Sequence, residues 1–231
     1  MSSPICLPEF DQLASLKSVD PNAFISKDRK EQEVCKFVLA LALAYNDFKD
    51  LLWAYTNLMS HSRKDFQISS EDGQLGGMRW HLVRLIYGLI LEILELIKRN
   101  PEPQQHQLFM KILTKMSKEN REYWNNLVAT SNEDSKKNPT IKLLQVIRNN
   151  VAFHYYGLDI LWDGFGKFFD PNMARGKSAY LSRGKNMAGT RFYFADAAIE
   201  GSFEKAIPKD INSEISTDLG NWTIEIIRSI F

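Results

Sequence analysis

Nine apolar residues between Val34 and Met59 recur at three- and four-residue steps: Val34, Phe37, Val38, Leu41, Tyr45, Phe48, Leu52, Tyr55 and Met59. That spacing is one face of an α-helix, and it predicts a long amphipathic helix over 27–59. A helix of that length cannot bury its stripe alone, so the chain must supply other helices to cover it. It does. Residues 74–99 are apolar almost all round, which marks the middle of a bundle. Leu108, Phe109, Ile112, Leu113, Met116, Tyr123, Trp124, Leu127 and Val128 form one face over 104–129. A fourth helix is predicted over 139–166. A last one, over 210–230, carries Ile211, Ile215, Leu219, Trp222, Ile226 and Ile230 on one side.

The breaks agree with these spans. Residues 60–75 are polar and end in Ser69-Ser70-Glu71-Asp72-Gly73, and Asn100-Pro101-Glu102-Pro103 stops the second helix because proline cannot continue it. Asn138 followed by Pro139 reads as an N-cap and a first helical position. Asp170-Pro171 ends the fourth helix. Residues 172–208 lose helical periodicity. Tyr180-Leu181 and Arg191-Phe192-Tyr193-Phe194 flank a turn-rich stretch there, which predicts a β-hairpin or an ordered loop. The expected fold is all-α: an antiparallel helical bundle of four long helices plus a C-terminal helix.

A chain of 231 residues fits one domain. The helical core is expected over 27–166, with an elaboration over 167–231. The net charge of +1 gives no whole-molecule pull toward a polyanion, so any nucleic-acid site must be a local patch. Cys6 and Cys35 sit in no metal-like spacing and are too few for a disulfide scaffold, which sets a reduced, cytoplasmic expectation. The N-terminus has no signal-peptide pattern. The most apolar run, Trp80 to Lys98, holds Arg84, Glu92 and Glu95, which favours a buried helix over a membrane span. No P-loop, dinucleotide fingerprint, nucleophile elbow or zinc spacing occurs. His61 and His106 are isolated among polar residues and are expected to be exposed.

Chemistry concentrates in the fourth helix, at Arg148-Asn149-Asn150-Val151-Ala152-Phe153-His154. Arginine, a polar residue, then histidine inside a strongly helical stretch resembles the motif of the HEPN superfamily (higher eukaryotes and prokaryotes nucleotide-binding). Many of its members are metal-independent ribonucleases, often toxins or abortive-infection effectors. The resemblance covers roughly 27–166, and its specific motif is confined to the fourth helix. It implies Arg148, Asn149 and His154 as catalytic residues, no metal or other cofactor, and a site in a helix–helix cleft, usually across a homodimer.

The chemistry suits the residue types. Metal-free RNA cleavage needs the 2′-OH deprotonated, the 5′-oxygen protonated and phosphorane charge stabilised. Histidine titrates near neutrality, and arginine offers a planar cationic fork that fits phosphate oxygens. Asn149 can orient the histidine or bond the phosphate. The product would carry a 2′,3′-cyclic phosphate. On an ideal helical wheel Arg148 and His154 point about 120° apart. His154 lies in an apolar stripe with Ile147 and Val151, and Arg148 lies on a polar face. The two serve one site if a second helix closes a cleft over them; otherwise they are a packing histidine and a surface arginine. A homodimer would also supply a second histidine.

In the HEPN toxins paired with a nucleotidyltransferase antitoxin, a tyrosine two residues after the histidine is adenylylated. Tyr156 matches that position, although five residues here separate Arg148 from His154 where that subset has four. The plainer reading of Tyr156 is a half-buried packing tyrosine. RNA contacts are expected from Arg79 and Arg84, which with His81 open the second helix. They are also expected from Arg175, Lys177, Arg183, Lys185 and Arg191, in a stretch without acids; a solvated loop is the competing reading of that stretch. Glu92 and Glu95 read as ion-pair partners of these cations or of Arg148. The partners implied are RNA, a second copy of the chain and an antitoxin protein, with no membrane. The alternative function is a non-catalytic HEPN-like module that binds nucleotide, RNA or a protein partner.

Overall fold

The computed structural model describes residues 21–60, 70–149, 158–170, 172, 179, 181, 190, 192–206 and 212–229. They build α1 (Arg29–Ser60), α2 (Ser70–Arg99), α3 (Pro101–Gln105), α4 (Gln107–Lys115), α5 (Lys118–Ser131), α6 (Pro139–Ile147), α7 (Leu158–Phe168), α8 (Tyr193–Ala206) and α9 (Asn212–Ser229). A 3-10 turn, Pro21–Phe24, precedes them. The fold is all-α, with no strand among the described residues. No described helix is long and apolar enough to cross a membrane.

Helix α1 starts where Asp28 caps it: Oδ1 accepts from the backbone N–H of Lys30 at 2.7 Å and of Glu31 at 3.0 Å. Its buried residues are Val34, Phe37, Leu41, Phe48 and Leu52, five of the nine in the stripe read from the sequence; Met59, at its end, is exposed. They pack on α2, whose Ile86, Ile90, Ile93, Leu94 and Ile97 are buried. Helix α2 also packs on α5, α6 and α8, as an all-round apolar helix must. Phe37, Phe109 and Trp124 meet ring to ring at 5.4–6.3 Å and tie α1, α4 and α5 together. Helix α9 closes the core with Ile215, Leu219, Trp222 and Ile226.

Asn138 caps α6 as expected, accepting from Thr140 and Ile141 N–H, with Pro139 in the first turn. Thr140 is fully buried, and its Oγ1 donates to Asp218 Oδ2 of α9 at 2.6 Å. That bond fixes the start of the helix that leads to Arg148.

Four expectations are corrected. The single helix over 104–129 is three helices, α3, α4 and α5. His106 and Met116 adopt extended backbone (ψ 143° and 153°) and break it. Side chains cap the restarts: His106 accepts from Leu108 N–H, and Ser117 from Asn120 N–H. His106 is therefore a half-buried cap rather than an exposed residue.

The fourth helix changes geometry where the motif begins. It leaves α geometry after Ile147, and Arg148 and Asn149 form a wider, π-type turn.

Tyr193 and Phe194, read as one arm of a hairpin or loop, open α8 instead. Its packing face is built from Ala198, Gly201 and Ser202 beside Ile199 and Phe203, and small residues carry no hydrophobic period. Those small residues let α8 lie against α7. A Cβ on Gly201 would collide with the Gly164 carbonyl, and one on Gly164 with Ala198 O and Ser202 Oγ. Ser202 Oγ lies 3.0 Å from Ile160 O and 2.8 Å from Ala198 O, bridging the two helices.

Candidate functional site

Arg148 emerges where α6 gives way to the wider turn, and its guanidinium reaches back to α2. Nε and Nη2 both donate to Glu92 Oε1, at 2.9 and 2.8 Å. Nη1 donates to Asn149 Oδ1 at 3.1 Å. The fork is thus held on two edges. It stays near the surface, with Arg148 and Glu92 side chains 42% and 47% exposed. Of the partners considered for Glu92, Arg148 is the one observed, while Glu95 pairs with Arg99 at 3.0 Å. Asn149 is exposed and orients the arginine, which leaves its amide N–H groups as donors beside it.

No family model, curated protein or solved structure matches the chain.

His154 and Tyr156 lie outside the described residues, as do Arg175, Lys177, Arg183, Lys185 and Arg191. Arg79 is exposed on α2. Arg84 and His81 line a different concavity, described below, whose described lining includes α1, α2 and α8 and no residue of α6. Arg84 is eight residues from Glu92 along α2, roughly 12 Å of helix rise. Among the described residues no group of three or more His, Cys, Asp or Glu side chains could hold a metal ion.

One feature of α7 escaped the sequence reading. Trp162 of α7 is 73% exposed. Its ring lies nearly parallel to Phe165, at 6.0 Å and 9°, and Phe165 meets Phe169 at 4.5 Å. The exposed indole thus presents one flat aromatic face to solvent, backed by two further rings. The signal available was a tryptophan on the same helical face as Asp159 and Asp163, where an apolar ring is out of place.

The pocket of His81 and Arg84 has a volume of about 600 Å³. Arg84 Nη2 lies 3.0 Å from His81 Nδ1. Arginine carries no acceptor, so it donates, and His81 is held with its remaining proton on Nε2. Asn57 of α1 and Asp196 of α8 also line the pocket. They are distant in sequence and share no pattern, so nothing in the sequence groups them.

Proposed function

We propose that the chain is a metal-independent endoribonuclease of HEPN type, an effector of toxin or phage-defence kind that acts as a cytoplasmic homodimer. The observation that carries this reading is the state of Arg148. The first residue of the motif is a half-exposed guanidinium held in one direction on two edges, by Glu92 and by Asn149, rather than a loose surface side chain. A half-exposed ion pair contributes about 0–1 kcal/mol, so a phosphate can take Glu92's place at little cost. In this reading Arg148 grips the scissile phosphate and stabilises the phosphorane, and Asn149 holds the fork. His154 carries the proton between the 2′-OH and the leaving 5′-oxygen, giving a 2′,3′-cyclic phosphate. A second copy supplies the second histidine. Trp162 adds a stacking surface for an unpaired base, and Tyr156 is the residue an antitoxin partner would modify.

The test is cleavage of a structured RNA by purified protein with chelator present, alongside Arg148→Ala and His154→Ala. The expected result is cleavage by the native chain that both substitutions abolish. Cleavage that survives both, or that chelator alone removes, overturns the reading.

The Glu92–Arg148 pair itself favours a second reading, a HEPN-like module that binds nucleotide, RNA or a protein partner without catalysis. There Glu92 is a standing counter-ion. Native RNA binding without cleavage, unchanged by His154→Ala, is its result.

A further inference from the structure

We propose that a second copy of this chain docks antiparallel on the outer face of α1, with Leu39 and Leu43 at the centre of the contact. The two leucines stand one turn apart and are 63% and 60% exposed. Toward the end of α1 this ridge runs into a groove with a volume of about 430 Å³, lined by Asp47, Asp50 and Leu51 with Leu85 and Leu89 of α2. An apolar ridge that continues into a partly apolar groove is surface that gains by being covered.

The charges select the occupant. With Leu39 at 0° on the helical wheel, Leu43 falls at about 40°, Lys36 at about 60° and Asp47 at about 80°. Lys36 and Asp47 therefore flank the leucines on the same edge, one toward each end of the helix. Lys36 lies five residues before Leu41, the midpoint of the two leucines, and Asp47 lies six residues after it. A two-fold axis at that midpoint, in the plane of contact, sets Leu39 against the partner's Leu43. It also brings Lys36 level with the partner's Asp47, to within about 1.5 Å along the helix and on the same edge. Symmetry repeats the pair at the other end of the contact. A parallel copy would set lysine beside lysine, so the pattern favours the antiparallel, closed pair. Lys36 bonds Glu33 of its own helix at 2.7 Å, but that pair is exposed and therefore weakly held.

The surface extends toward the candidate site. Leu85, Leu89 and Glu92 fall at i, i+4 and i+7 on α2, which is one helical face, and Glu92 holds Arg148. The placement is argued from α1 and does not rest on the ribonuclease reading, although it names a surface for the homodimer that reading needs.

The experiment is sedimentation velocity of the full chain over a concentration series. A dimer with a dissociation constant on the order of 10 µM is expected, as for a contact at the small end of specific interfaces. Lys36→Glu and Asp47→Lys each set like charges together at both ends, and each should weaken the dimer at least about tenfold. A mixture of the two variants restores opposite charges at both ends, so it should form a heterodimer about as tight as the native pair. A side chain that merely supported the fold would give no such rescue. Leu43→Glu should abolish the dimer, and it carries the test if a charge variant fails to fold, with circular dichroism as the control. Three results would each overturn the proposal. They are a native chain that stays monomeric throughout, which would leave the face to a different protein; folded variants that dimerise as well as the native chain; and a mixture of the two charge variants that stays monomeric. RNA cleavage and its dependence on Arg148 are read separately, so the two ideas fail by different results.

Discussion

Glu92 Oε1 accepts two hydrogen bonds from one edge of the Arg148 guanidinium, joining α2 to the end of α6 across 56 residues of sequence. The contact turns a motif arginine into an oriented one. Because both side chains are about half exposed, its worth lies in direction more than in stability. Glu92→Gln should cost less than about 1 kcal/mol in chemical denaturation. The same variant should bind RNA more tightly and with a steeper salt dependence, because a carboxylate that competes with phosphate is gone. Filter binding across a salt series reads both, and weaker RNA binding would count against a phosphate role for Arg148.

Glycine substitutions should change sign with position. Gly164→Ala and Gly201→Ala each push a methyl into the facing helix, so each should lose about 1–3 kcal/mol. Gly166 is exposed on the same helix, and a Cβ there would meet nothing within 4 Å. Gly166→Ala should therefore gain about 0.5–1 kcal/mol from helix propensity alone. Three thermal melts decide it, at roughly 2–4 °C per kcal/mol for a chain of this size.

Thr140→Val keeps the buried shape and removes the hydroxyl that donates to Asp218 at 2.6 Å. A lost bond to a charged group should cost about 1.5–3 kcal/mol, read from the denaturant midpoint. Asp218→Asn, which keeps an acceptor, should cost less.

Glu225 sets a pH dependence. Its Oε2 is buried with no hydrogen-bond partner among the described residues. Burial pushes its carboxyl above the ordinary value of 4.5, against a hydrogen bond from Asn126 that lowers it. The folded state therefore holds this proton more tightly than the unfolded state. Its contribution is complete below about the unfolded value and is lost as pH rises through the folded one. Glu225→Gln should be more stable than the native chain at neutral pH, by about 1 kcal/mol. The gain should fade near pH 4, and melts at the two pH values test the sign.

The periodic part of the fold was legible. Val34, Phe37, Leu41, Phe48 and Leu52 are buried as their spacing implies, and Asn138-Pro139 starts a helix as its chemistry implies. What escaped was whatever does not depend on apolar periodicity. His106 and Met116 interrupt a run whose hydrophobic pattern continues through them, because a corner is set by backbone angles and side-chain caps. Helix α8 stayed hidden because Ala198, Gly201 and Ser202 pack by being small. At the site, the wheel put Arg148 on a polar face, and the charges of the second helix offered Glu92 and Glu95 as partners for it or for the nearby cations; Glu92 is the one that pairs with it. The pocket of Asn57, Arg84 and Asp196 joins three helices, and only the tertiary arrangement assembles it.

The meeting of Gly164 with Gly201 has a mechanical side. Two helices separated by long side chains can slide, because each rotamer change takes up part of the displacement. Here backbone lies on backbone, and Ser202 fastens the seam. Little between the two axes can yield, so α7 and α8 are held as one rigid pair. That pair carries Asp196, in the wall of the pocket, and the start of α7, which follows the motif segment in sequence.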